Sequence, residues 1–100
     1  MLHTVNKSPY ERNSLDSCLR IAKAGSAILL IEDAVYAALA DTSVADKITN
    51  ALNDFKVYVL EPDLKARGMS NKTLIDGVTA VDYGGFVDLT IEHDCVNSWM

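Results

Sequence analysis

Hydrophobic and polar positions along this chain fall into short apolar runs separated by segments of helical period. Leu2 to Val5 is apolar and is stopped by Asn6-Lys7-Ser8-Pro9, where proline restricts its predecessor and offers no N–H to a ladder; it reads as a first strand. Leu15, Cys18, Leu19 and Ala22 follow the i, i+3, i+4, i+7 spacing of a helix that Asn13 or Ser14 can cap and Gly25 can end. Ala27-Ile28-Leu29-Leu30-Ile31 is apolar without alternation, as expected of a central strand covered on both faces.

Glu32 and Asp33 come next, with Asp33 placed to cap a short helical run from Ala34 to Ala40. Ser43 with Asp46 resembles a capping box, and Val44, Ile48, Ala51, Leu52 and Phe55 then form one stripe that must pack on the sheet. Val57 to Leu60 reads as a third strand. Glu61-Pro62-Asp63 begins a short helix with proline near its first position, ended by Gly68. Ser70-Asn71-Lys72 marks a loop and Val78 to Val81 a fourth strand. Asp82 can cap a last helix with Tyr83, Phe86, Val87, Thr90 and Ile91 on one face, although Gly84 and Gly85 weaken its first turn. Strands alternating with helical segments imply right-handed crossovers. The expected fold is therefore a three-layer, flavodoxin-like α/β domain spanning residues 1–100, with a mostly parallel four-stranded sheet.

Composition adds one feature to this picture. Hydrophobic residues make up 49% of the chain and charged residues 23%, so a domain of 100 residues is expected to order fully yet leave apolar surface uncovered. The net charge of −5 argues against direct nucleic-acid binding. No run approaches the roughly 18 apolar residues of a membrane span, and the start lacks a secretory leader pattern, so a cytoplasmic location without membrane association is expected. In that reducing compartment Cys18 and Cys95, far apart and outside any C-x-x-C pair, are expected to be free thiols.

Ligands of open α/β sheets bind beyond the carboxyl ends of the strands, which here directs attention to Lys7-Ser8, Glu32-Asp33, Glu61 and Asp82-Tyr83. The glycine-rich phosphate fingerprints are absent, so no nucleotide or other cofactor is expected, and strand-end Asp residues read first as helix caps. His3 and His93 have no neighbouring partner at metal-site spacing, so no metal is expected, and no G-x-S-x-G elbow supports serine catalysis. A receiver-like or flavin-binding module is the alternative that this rim leaves open. Cys18 has two readings. As a core residue it completes the apolar stripe of the first helix; as a persulfide carrier it would need exposure and a lowered pKa, and Asp16 nearby opposes the latter. Cys95 reads as an exposed, incidental thiol in a polar tail.

Four blocks in order, Met-Leu-His-Thr-Val-Asn-Lys-Ser-Pro, Leu-Leu-Ile-Glu-Asp-Ala-Val-Tyr-Ala-Ala-Leu, Val-Tyr-Val-Leu-Glu-Pro-Asp-Leu-Lys-Ala-Arg-Gly and Val-Asp-Tyr-Gly-Gly-Phe-Val-Asp-Leu-Thr, together with Trp99, resemble the DsrH/TusB family over essentially the whole chain. The resemblance implies a subunit of a sulfur relay, in which persulfide sulfur passes between cysteines. It also implies assembly with DsrE/TusD-like and DsrF/TusC-like subunits into a heterohexamer, delivery to a DsrC/TusE-like acceptor, and a principal sulfur-carrying cysteine on the DsrE/TusD-like subunit. The chain is thus expected to be a non-catalytic scaffold or accessory subunit, with Cys18 an optional sulfur carrier. TusB chains, which serve 2-thiolation of the tRNA wobble uridine, typically lack a cysteine in the first helix. DsrH chains carry one in a segment like Leu15-Asp16-Ser17-Cys18-Leu19, so the resemblance leans towards dissimilatory sulfur oxidation, with the tRNA pathway as the alternative.

Overall fold

A computed structural model describes residues 1–9, 14–69, 71–93 and 96–99. Strand β1 (Leu2–Val5) leads to helix α1 (Ser14–Ile21) and strand β2 (Ala27–Leu30). A 3-10 helix (Glu32–Ala38) and helix α2 (Ala45–Ala51) precede β3 (Lys56–Leu60). Then come α3 (Glu61–Ala66), β4 (Thr79–Val81), α4 (Tyr83–Glu92) and β5 (Val96–Trp99). The sheet has five strands in the order β4-β3-β2-β1-β5, and every neighbouring pair is parallel. The expected α/β fold with a parallel sheet is therefore observed, with a fifth strand where a polar tail was expected. Val96-Asn97-Ser98-Trp99 pairs with β1 residue for residue, Leu2 opposite Val96 and Val5 opposite Trp99.

Chain direction explains how the layers divide. From β1 to β4 each crossover steps the same way across the sheet, and right-handedness puts α1, α2 and α3 on one face; the return from β4 to β5 runs the other way and puts α4 on the opposite face. Alternation along the strands feeds the two layers separately. Val5, Ile28, Leu30, Val57 and Val59 join Leu15, Cys18, Ile48 and Leu64 in the larger core, while Leu2, Ala27 and Leu29 meet Leu89 of α4 in a smaller one. The stripes expected for α1 and α2 pack as the spacing requires, with Leu19, Ala22, Leu52 and Phe55 at the margin of the larger core.

Two local expectations change. Asp33 does not cap: it lies inside the 3-10 helix, whose N-cap is Ile31, and its carboxylate accepts from Arg67 Nε at 2.9 Å. A charge-assisted pair with Arg67 wins over capping a segment whose i→i+3 turns already tighten its first N–H groups. Ser43 caps nothing either, since α2 begins after Val44 with no side-chain cap. Asn13 lies outside the described residues. Asp82, by contrast, accepts the Gly85 N–H at 2.8 Å as a helix cap should.

Gly85 also has a steric reason to be glycine. A Cβ there would sit 2.9 Å from the Val81 Cβ, because the first turn of α4 folds tightly back onto the end of β4. Gly85→Ala is expected to destabilise by about 1–3 kcal/mol despite alanine's higher helix propensity, as overpacking does, whereas Gly84→Ala is expected to be much milder. Urea midpoints of the two variants test this.

Candidate functional site

The carboxyl rim of the sheet is built for structure. Asp63 Oδ2 accepts the backbone N–H of Glu32 at 2.6 Å, holding Glu32 in a left-handed conformation (φ 49) at the exit of β2. Arg67, one turn further along α3, pairs with Asp33. Two of the rim's acids, Asp33 and Asp63, are thus engaged in tying the 3-10 helix to α3, and Asp82 caps α4. Glu32 and Glu61 remain exposed, Lys7 is half-buried and Ser8 is buried. Among the described residues no group of three or more His, Cys, Asp or Glu converges as a metal site would require, and no helix is long and apolar enough to cross a membrane.

Cys18 lies wholly within the core, 0% exposed, between α1 and the sheet. Burial pushes its thiol up to about 11 from an ordinary 9.0, because the apolar surroundings cannot solvate a thiolate. In this fold the Cys18 sulfur is therefore protonated and inaccessible at neutral pH. The first helix delivers it there: Leu15 and Cys18 are one turn apart on the inward face, while Asp16 points outward to an ion pair with Lys47. Cys95 lies outside the described residues.

Both histidine expectations can be placed. His93 follows the last turn of α4 as its C-cap residue. His3 is 3% exposed in β1, and its Nδ1 accepts the Trp99 Nε1–H at 3.0 Å, with ring centroids 6.2 Å apart. Burial first, and then the positive charge of the Met1 amino group, hold His3 below its ordinary 6.5. The pair sews β5 to β1, alongside a Thr4 Oγ1 to Ser98 Oγ hydrogen bond of 3.1 Å on the other face.

Because the His3 pKa is depressed on folding, the neutral ring stabilises the fold fully above about pH 6.5, and that contribution is lost as pH falls below it. Trp99→Phe leaves Nδ1 buried without a donor and is expected to cost about 1–3 kcal/mol at pH 7. The variant is also expected to lose less stability than the parent between pH 6.5 and pH 5, which urea titrations at the two pH values measure.

The feature that departs most from an ordinary monomer surface is α4. Tyr83, Val87 and Ile91, at i, i+4 and i+8, form a continuous apolar stripe on the side away from the sheet, 61%, 56% and 76% exposed. Leu89 is the helix's buried residue, with Phe86 at the core margin. The face read from the sequence divides: Phe86 packs at the margin of the smaller core, while Tyr83, Val87 and Ile91 point outward. An apolar helix face this exposed on a small domain is a candidate contact surface.

These features define an α/β domain of parallel-sheet type with Cys18 sealed in the core and an apolar helix face left open. The family described as DsrH like protein matches residues 7–96. The chain belongs to this DsrH/TusB family. It is 39% identical to Protein TusB of Pectobacterium parmentieri over 99 residues, covering 99% of this chain and all of that one. Identity is 38%, at the same coverage, to Protein TusB of Yersinia pestis strain Pestoides F. In three dimensions it is similar to the ychN protein from E. coli, with a TM-score of 0.81 at 23% identity over 98% of this chain and 97% of that one, which shows a shared fold.

Proposed function

We propose that this chain is a cytoplasmic, non-catalytic subunit of a sulfur relay of the TusB type, serving 2-thiolation of the tRNA wobble uridine. The observations that carry the reading are the open stripe of α4 and a core-sealed Cys18: the surface offers contact and Cys18 offers no nucleophile. Partners are related α/β subunits of the DsrE/TusD and DsrF/TusC kinds in a heterohexamer, with a DsrC/TusE-like protein as acceptor of the assembly. Sulfur travels on their cysteines, and this subunit holds the assembly together.

Cys18 had favoured the sulfur-oxidation branch. Relatives named Protein TusB at 36–39% identity over the full chain support the tRNA branch better. A cysteine packed in the core carries little information about pathway, because a small apolar side chain is all that position requires.

Deletion of the gene in its native host separates the branches. Mass spectrometry of tRNA digests is expected to show loss of 2-thiolated wobble uridine, restored by the intact chain and equally by its Cys18→Ala variant. Unchanged thiolation together with a defect in sulfur oxidation would contradict the tRNA reading. Failure of Cys18→Ala to restore thiolation, despite normal assembly, would contradict the non-catalytic one.

A further inference from the structure

The negative charge of this chain is not spread evenly along it. Up to Lys72 acids and bases balance, while residues 73–100 hold Asp76, Asp82, Asp88, Glu92 and Asp94 and neither lysine nor arginine. The whole net charge of −5 therefore falls in the segment that builds β4, α4 and β5. The same segment supplies Tyr83, Val87, Ile91 and Val96, four of the six large hydrophobic side chains exposed among the described residues. Val96 stands opposite Leu2 in register, and Leu2 packs with Leu89, so Val96 lies on the α4 side of the sheet. Apolar exposure and charge excess thus coincide in one segment.

On α4 the two are ordered. Residues four apart on a helix form a ridge, and the ridge Tyr83-Val87-Ile91 runs beside the ridge Gly84-Asp88-Glu92, with all six residues exposed. The free chain draws no stabilisation from the second ridge. Asp88 and Glu92 are like charges at i and i+4, and Glu92 sits in the last turn, where the helix dipole disfavours an anion. The ion pairs among the described residues join Lys47 to Asp16 and Arg67 to Asp33, so neither acid of α4 is paired. Lys56, opposite Ala27 and hence also on this side of the sheet, is exposed and joins no ion pair, and neither does the Met1 amino group. A second copy of this chain offers these acids nothing: an isologous contact presents the same patch from both sides, adding like charge and no base from α4. The pattern matches a different surface, an apolar ridge with a basic one beside it.

We propose that α4 docks a helix of a different protein chain, whose apolar ridge meets Tyr83, Val87 and Ile91 while lysine or arginine beside it meets Asp88 and Glu92. This docking rests on the reading of α4 as the contact face, and adds the sign of the partner's charge. The test is competition for a limiting amount of the relay's partner subunits. Equal amounts of parent and variant chain are mixed with them in about 50 mM or about 500 mM salt, and mass spectrometry counts each chain in the purified complex. Parent is expected to exceed Asp88→Asn with Glu92→Gln about fivefold, and Asp88→Lys with Glu92→Lys by more, both ratios shrinking in the higher salt. Thermal melts of the variants should match the parent's or lie above it, because the charges removed are unfavourable in the free helix. Equal entry of all three chains, or preference for the lysine pair, would overturn the proposal, as would a dimer of the free chain closed through α4. Val87→Lys with Ile91→Lys separates the two levels. If that variant is shut out while the charge variants enter freely, α4 remains the contact face and the basic partner falls; if it enters as freely as the parent, or no complex forms, both fall.

Discussion

A chain carrying Val87→Lys and Ile91→Lys is expected to fold normally and yet fail to enter the relay complex. Both side chains lie more than half exposed on the outer face of α4 and contribute little to the core, so stability should change by no more than about 0.5 kcal/mol. Lysine suits the test because it is a good helix former and a cation is favoured in the last turn of a helix. Burying two unpaired ammonium groups where apolar side chains should meet is another matter. Buried anchors of an interface typically cost at least 2 kcal/mol each when lost, so the pair is expected to weaken association by about 4 kcal/mol, roughly a thousandfold. Co-expression with the partner subunits followed by size-exclusion chromatography reads the outcome: parent in a complex, variant outside it, with matching thermal melts. A variant that still assembles at parental affinity would remove α4 from the interface.

Cys18 is expected to resist alkylation by at least a hundredfold in the native fold relative to the unfolded chain. The rise from 9.0 to about 11 lowers the thiolate population at neutral pH about a hundredfold, and complete burial of the side chain suppresses access further. The same shift links stability to alkaline pH. Between about pH 9 and 11 the unfolded thiol ionises while the folded one stays protonated, so the unfolded state binds fewer protons and stability falls as pH rises. The loss is on the order of 3 kcal/mol by pH 11, and Cys18→Ala should lack that part of the slope. Iodoacetamide labelling at pH 8 with peptide mapping, and urea melts from pH 8 to 10.5, measure the two effects. Fast native labelling at Cys18 would reopen its role as a sulfur carrier.

How legible the fold was in the sequence depends on how much of each element's stability is local. Ala27-Ile28-Leu29-Leu30 announces a central strand because both its faces are buried, and the stripes of α1 and α2 announce helices because one side of each must be apolar. Strand β5 gave no such signal. Val96 to Trp99 forms an edge, bonded to β1 alone and largely exposed, so its sequence needs neither an unbroken apolar run nor clean alternation. What fixes it is non-local: the Trp99 indole on His3 and Ser98 on Thr4, more than ninety residues away.

The candidate site was legible in part for the same reason. The apolar stripe Tyr83-Val87-Ile91 is visible in spacing, but spacing cannot say whether an apolar face meets the sheet or a second chain. Here the sheet takes Leu89, which leaves the stripe facing outward. Asp33 misled because an acid after a strand usually caps, whereas its partner Arg67 lies 34 residues on. The pairing of His3 with Trp99 could not be read from the sequence, since no local pattern foretells that the last strand will cover a ring nitrogen of the first.

Hydroxyl-radical footprinting of Tyr83, Val87 and Ile91, in the free chain and in the assembled relay complex, tests the central claim most directly. Heavy modification of all three in the free chain and strong protection in the complex is the predicted result. Equal modification in both states would show that the open face of α4 stays bare in the assembly and would contradict the account.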